Sequence, residues 1–282
     1  MVVGWWAARV VVPAWVGLVP LDPVAVRVGP LQVRWYGLLI ALAFLPGWLL
    51  ARPEMARLGL GADDLMDGLA MGIPLALAGA RLAFVGQNLD YFAAHPHAIL
   101  RTWEGGLSIH GALAGVGLAV VLLARRTRVA AAGLADLAAP SLLLGQAIGR
   151  WGNFFNREVL GYPTAVPWKL YVPPELRPPA FAGEAFFHPA FLYESLLNLA
   201  AAGALVAWRR RRRGWGEVAA LYLILYSANR FVVEFVRIGQ PAALGLTLAQ
   251  WVSLALALAG GVWMAAVRLR PKAVACGSQG GR

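Results

Sequence analysis

Cysteine is nearly absent from this 282-residue chain and acidic residues are few, and each shortage narrows what the chain can be. A single cysteine, Cys276 in a Gly/Ser-rich tail, excludes an internal disulfide and a cysteine-built metal site and leaves the redox compartment undetermined. Asp and Glu number 14 against 25 Lys and Arg, so the formal charge is +11, yet charged residues together make up only 14%. A soluble domain carries about 25%, roughly twice the share found here. Hydrophobic residues fill 60% of positions and the mean hydropathy is +0.63, which makes lipid the main solvent. The basic excess does not indicate nucleic acid, because the densest arginine runs directly follow apolar stretches. The N-terminus is apolar and Trp-rich (Trp5, Trp6, Trp15), with Arg9 the only charge before Asp22 and no small-residue cleavage site. It reads as an interfacial arm over 1–32 rather than a removable signal peptide.

A membrane-crossing helix needs about 20 mostly apolar residues. Seven stretches meet that need: 35–51, 67–87, 107–124, 134–149, 189–208, 216–235 and 244–267. The predicted fold class is all-α, a polytopic transmembrane bundle of about seven spans over 33–270, with a cytoplasmic tail at 271–282. Lys and Arg in short loops mark the cytoplasmic side. They follow the first span (Arg52, Arg57), the third (Arg125, Arg126, Arg128), the fifth (Arg209 to Arg213) and the seventh (Arg268, Arg270, Lys272). These positions share one side only if the span count holds, which puts the N-terminus outside and the C-terminus in the cytoplasm. The arginines themselves read as solvated basic faces. The connection at about 150–188, with Pro163, Pro167, Pro173, Pro174, Pro178 and Pro179, is then an extracytoplasmic loop or cap.

Ionisable groups at membrane depth are costly and mark functional sites. Here they gather at the outward ends of five helices. Arg34 and Tyr36 open the first span, and Ser108 and His110 the third. Arg150, Asn153, Asn156 and Glu158 close the fourth, His188, Tyr193 and Glu194 open the fifth, and Tyr226, Arg230, Glu234 and Arg237 close the sixth. The last four are spaced to share one helical stripe. An Arg–Glu pair at i,i+4 is as readily structural as functional, but a second arginine on the stripe exceeds what one carboxylate neutralises. In the run 149–158, Gly149 and Gly152 allow close packing or an unwound helix end, and Arg150 presents a planar fork suited to phosphate. The structural alternative there is a helix C-terminus with a snorkelling arginine and capping asparagines.

His110 suits a proton acceptor or an anion-positioning donor, though an intramembrane histidine also serves simply by bonding backbone. His188, before Pro189, equally fits a plain helix start. His95-Pro96-His97 lacks the carboxylates to complete a metal site, and Asp136 reads as an N-cap or packing partner. Arginines in a pocket between apolar helices predict an anionic ligand. A phospholipid, with a phosphate headgroup and acyl tails, fits both surroundings; a secondary transporter for an organic anion is the competing class. Transport calls for polar residues reaching the cytoplasmic half and for inverted repeats, whereas the inner halves are mostly Ala, Leu, Val and Gly.

Five motifs, in order, resemble the prolipoprotein diacylglyceryl transferase family: Arg34–Gly37, Gly105–Gly115, Gly149–Glu158 with Gly161 after it, His188–Glu194 and Tyr226–Arg237. The resemblance runs from about residue 30 to the end of the last span. It implies a multi-pass enzyme of the bacterial cytoplasmic (inner) membrane with its active site facing the outer leaflet. The implied reaction transfers the diacylglyceryl group of phosphatidylglycerol to the lipobox cysteine of a prolipoprotein signal peptide and releases glycerol phosphate, with no metal or organic cofactor. Matched by motif position, the family's important residues fall on Tyr36, His110, Arg150, Asn153, Glu158, Gly161, Tyr226, Arg230 and Glu234, with lesser roles at Asp136 and His188. Asn156 and Arg237 join the expected substrate site from the residue pattern. Ala112 stands where many relatives have Gly, the stretch after Arg237 is less acidic than the family version, and residues 162–187 carry no match.

Overall fold

The computed structural model describes residues 22–29, 31–102, 105–156 and 158–269. The tail at 271–282 with Cys276, and the expected arm before residue 22, lie outside the described residues. Seven long helices form the body: α1 (Trp35–Arg57), α2 (Ala62–Gln87), α4 (Ile109–Thr127), α5 (Ala131–Asn156), α6 (Ala190–Trp208), α7 (Glu217–Glu234) and α8 (Leu248–Leu269), with a short α3 (Leu89–Ala94) after α2. Among the described residues, three antiparallel two-stranded ribbons join them: β1 (Val24–Val28) with β2 (Leu31–Arg34), β3 (Leu170–Tyr171) with β4 (Phe186–Phe187), and β5 (Pro241–Ala243) with β6 (Leu246–Thr247).

Five of these helices, α1, α2, α5, α6 and α8, are long and apolar enough to cross a membrane. Helix α7 has Glu217, Arg230 and Glu234 within 18 residues, and α4 ends on Arg125 and Arg126. Leu42, Leu82, Leu113 and Leu258 are 64–71% exposed on the helix surfaces. Apolar exposure of this extent suits contact with hydrocarbon, and the helices satisfy their own backbone groups there. The chain is a helical membrane protein.

Every stretch of the seven-stretch reading becomes a long helix, with shifted ends. The largest shift is in α5, which continues seven residues past 149 to Asn156 instead of unwinding at Gly149 and Gly152. Arg150 and Asn153 therefore sit one turn apart on a continuous helix. Helix α7 stops at Glu234, so Arg237 leaves the expected stripe and pairs instead with Gly161 in an isolated bridge.

Successive long helices alternate in direction, and packing pairs α1 with α5, α2 with α4, α5 with α6, and α7 with α8. The α2–α4 contact is backbone on backbone. A Cβ on Gly111 would strike the Gly79 carbonyl, and one on Gly115 the Leu75 carbonyl, the close approach that small residues permit between membrane helices. Ala139, Leu143, Ala201, Ala202, Leu205 and Val218 form a core shared by α5, α6 and α7. The Pro-rich stretch folds as a cap at one end, where Leu170, Val172 and Phe187 pack with Phe154 and Phe191 from the helix ends.

At the opposite end most of the arginines expected to be solvated are exposed, but Arg209 and Arg212 are drawn inward. Arg209 is 7% exposed and donates to the carbonyls of Leu50 (2.7 Å) and Leu137 (3.0 Å). Arg212 pairs with the buried Glu54 and lies 3.8 Å from the centre of the Trp215 ring. The carbonyls of Leu50 on α1 and Leu137 on α5 and the buried carboxylate supply partners that no local sequence pattern reveals. Asp136 is a cap, for a helix other than its own: its carboxylate accepts the N–H groups of Gly216 and Ala219 (2.8 Å each) at the start of α7.

Candidate active site

A cavity of about 820 Å³ runs along the α1–α5 face. Its polar end is made by Tyr36, Arg150, Asn153 and Tyr226, and apolar walls continue to Ala51, Leu65 and Leu137 at the far end of the bundle. The helical period explains the lining: Tyr36, Ile40, Ala43, Gly47 and Ala51 recur on one face of α1, opposite Leu142, Gly145, Gly149 and Asn153 on α5. Tyr36 sits close because Gly152 has no side chain; a Cβ there would overlap the Tyr36 ring. Trp35 stacks on Phe155 one turn along, with ring centres 5.0 Å apart. Tyr226 stacks on Tyr222 at 5.8 Å, and the Tyr222 hydroxyl accepts from Gln146 Nε2 at 3.0 Å.

Behind the polar end lies a chain of charges drawn from four helix ends. Arg150 Nη1 donates to Asn153 Oδ1 at 3.1 Å, and its Nη2 pairs with Glu194 Oε1. Glu194 is fully buried, and its second oxygen lies 4.0 Å from Arg230 Nη1. Arg230 Nη2 pairs with Glu234 Oε2 at 2.6 Å, and Glu234 Oε1 accepts the Thr247 hydroxyl at 3.0 Å. From Asn153 the chain continues the other way, to Glu158 Oε2 at 3.2 Å. Glu194 thus lies between Arg150 and Arg230, and Glu234 is a second carboxylate for Arg230. Even so, Arg150 Nε and Arg230 Nη1 are buried without a hydrogen-bond partner among the described residues. Buried donors left unpaired are costly, so both are suited to an anion.

The expected site residues divide by place. Tyr36, Arg150, Asn153 and Tyr226 line the cavity; Arg230, Glu234 and Glu158 join it through the charge chain. Gly161, His188 and Arg237 form a strap. Gly161 N–H donates to the His188 carbonyl (3.0 Å), Tyr162 N–H to the Val236 carbonyl (2.8 Å) and Ile238 N–H to the Leu160 carbonyl (3.2 Å). This ties the cap to the ends of α6 and α7, and a Gly161 side chain would collide with His188 and Val236. His188 Nδ1 meets the Tyr193 hydroxyl at 3.0 Å, which also accepts from Trp168 Nε1 at 2.8 Å. Burial, with the nearby Arg230 charge second, pushes the Arg237 guanidinium below its usual range, though arginine stays protonated throughout. Asn156 ends α5 with its Oδ1 unbonded among the described residues. His110, on the first turn of α4, is exposed and lies off the cavity lining.

Glu194 was named in the sequence only as part of a polar helix start, and Thr247 not at all. The motif ending at Glu194 was the available signal for the first. Nothing local flags Thr247.

Helix ends that converge on Arg150 and Arg230, beside a cavity with one polar end and a long apolar wall, make the candidate site of a helical membrane protein. The particular family follows from comparison. Residues 23–266 match the family model described as prolipoprotein diacylglyceryl transferase. The chain is 44% identical over 258 residues to the phosphatidylglycerol–prolipoprotein diacylglyceryl transferase of Trichormus variabilis, covering 88% of this chain and 91% of that one. Proteins of the same name from Fervidobacterium nodosum (42% over 241 residues, 85% and 82% covered) and Thermotoga maritima (40% over 237 residues, 83% and 80%) are similar as well. The chain belongs to the prolipoprotein diacylglyceryl transferase family.

Proposed function

We propose that this protein transfers the diacylglyceryl group of phosphatidylglycerol to the cysteine thiol of a prolipoprotein, and that the cavity holds the lipid. The observation that carries the reading is the cavity itself: a polar end of Tyr36, Arg150 and Asn153 for the headgroup, and apolar walls to Ala51 and Leu137 for acyl chains. The family gives the reaction; the transporter alternative draws no support from its relatives. In the proposed step the thiol sulfur attacks the glyceryl carbon that carries the phosphate oxygen. A C–S bond forms, the C–O bond breaks, and glycerol phosphate leaves with the bonding electrons. A free thiol has a pKa near 8.5, so the acceptor gains from a base or a positive field. Arg150 and Arg230 stabilise the charge growing on the leaving phosphate, Glu234 holds Arg230, and Tyr36 and Asn153 orient the headgroup. His110, though it lies off the cavity lining, is assigned the thiol proton from the motif it belongs to.

The proposed setting is the bacterial inner membrane, with all seven long helices crossing it, the cap and the charge chain at the outer leaflet, and the Arg209–Arg213 end in the cytoplasm. The acceptor is then a signal peptide carrying a lipobox cysteine. The test supplies the purified protein with labelled phosphatidylglycerol and a lipobox peptide. Label is expected on the peptide cysteine together with free glycerol phosphate, and a Cys-to-Ser peptide is expected to stay unlabelled. Absence of label on the cysteine peptide overturns the transferase reading. Retention of most activity by His110→Gln, with loss in Arg150→Ala, removes His110 from the base role.

A further inference from the structure

The charge chain ends on a hydroxyl whose own hydrogen bonds fix which way its proton points. Thr247 and Gln250 form a capping box at the start of α8: Thr247 N–H donates to Gln250 Oε1 at 2.9 Å, and Gln250 N–H donates to Thr247 Oγ1 at 3.3 Å. With a lone pair taken by the Gln250 amide, the one hydroxyl proton goes to Glu234 Oε1 at 3.0 Å. The surroundings are tight, since a Cβ on Gly239 would lie 3.3 Å from Glu234 Oε1 and 3.4 Å from Thr247 Cγ2. Glu234 turns its other oxygen to Arg230 Nη2 at 2.6 Å, while Arg230 Nη1 stands 4.0 Å from Glu194, the carboxylate that already pairs with Arg150.

We propose that Thr247 is a positioning residue for the transfer reaction. Its hydroxyl anchors Glu234 on the side of Arg230 away from Glu194, and so keeps Arg230 from collapsing onto the carboxylate that Arg150 uses. The inference rests on the proposed function, in which both guanidinium groups serve the phosphate. Without the hydroxyl donor, the Glu234 carboxylate loses its fixed orientation and both arginines compete for Glu194, leaving fewer donors for the leaving group. Because phosphate charge grows only as the C–O bond breaks, the loss falls on kcat more than on KM.

The test measures kcat and KM for phosphatidylglycerol with the full-length chain and a lipobox peptide. Thr247→Val keeps the shape and removes the hydroxyl, and kcat is expected to fall about tenfold, the scale of one hydrogen bond to a charged group, with KM little changed. Thr247→Ser is expected to restore kcat. Gln250→Ala, which loosens the same helix start but leaves the Thr247–Glu234 bond, is expected to keep it. If Thr247→Val does not fold, Thr247→Ala takes its place. Undiminished kcat without the hydroxyl, failure of serine to rescue, or equal damage in Gln250→Ala overturns the inference, the last by assigning the effect to the helix cap. Absence of transfer by the unaltered chain instead overturns the proposed function, and this inference with it.

Discussion

Arg150 is the residue where the most constraints meet. Its side chain is 22% exposed, lines the cavity, and is held by both Asn153 and Glu194. Only a planar fork with several donors satisfies two partners while keeping a further N–H for a ligand. Arg150→Ala is expected to lower the transfer rate by about 10²–10³, the effect of removing one pre-aimed donor from a developing negative charge. Arg150→Lys is expected to recover little, since a point charge cannot span the same partners; single-turnover rates check both. Glu194→Gln leaves two arginines facing a neutral amide in a fully buried position. Breaking such a pair costs about 3–5 kcal/mol, which a thermal unfolding series in detergent will show as a lowered midpoint. Arg150 and Asn153 were legible in the sequence because arginine and asparagine one turn apart at membrane depth have few bland explanations. The part played by Glu194 was not, because the stretch over the 44-position separation from Arg150 carries no signal that the two ends of the cap return to one place.

At the scale of elements, α2 and α4 meet backbone to backbone, and a buried arginine on α2 binds the carbonyls of the segment between them. Arg81 on α2 is 8% exposed and donates to the carbonyls of Ile99 (2.7 Å), Gly105 and Gly106 (2.8 Å each), holding the segment that leads into α4 and His110. Arg81→Ala is expected to free that segment, read as faster amide exchange over 105–108 with exchange in α6 unchanged. Gly115→Leu forces α2 and α4 apart where they touch backbone to backbone. Overpacking of this kind costs about 1–3 kcal/mol or more, and lower yield of folded protein with a reduced thermal midpoint is the expected result. Gly79 serves the same contact, since a Cβ there would strike the Gly111 carbonyl. Arg81 passed unremarked, because a lone arginine in an apolar stretch does not announce that five loop carbonyls will converge on it.

For the whole molecule, the two ends of the bundle differ in kind. One carries the cap, the polar end of the cavity and the charge chain through Arg150, Glu194, Arg230 and Glu234. The other carries a lock in which Glu54, Asp136, Arg209, Arg212 and Glu217 join the ends of α1, α5, α6 and α7. The proposed orientation puts the first outside and the second inside. In a Cys276→Ser background, a membrane-impermeant maleimide added to spheroplasts is expected to label Gly183→Cys in the cap and to spare Arg210→Cys until the membrane is opened. The reverse pattern would invert the topology.

The number and order of the long helices, the gathering of polar residues at alternate helix ends and the family itself came from the sequence alone. The first two depend on composition and periodicity along the chain, which lipid enforces by excluding unsatisfied backbone and unpaired charge; the family rests on the resemblance of five motifs. The tertiary structure decided how those polar residues are partnered. It supplied the shared carboxylate of Glu194, the helix-capping reach of Asp136, the burial of Arg209 and the join from Thr247 to Arg230. All of these are contacts between residues far apart in the chain, and their geometry exists only once the helices have packed.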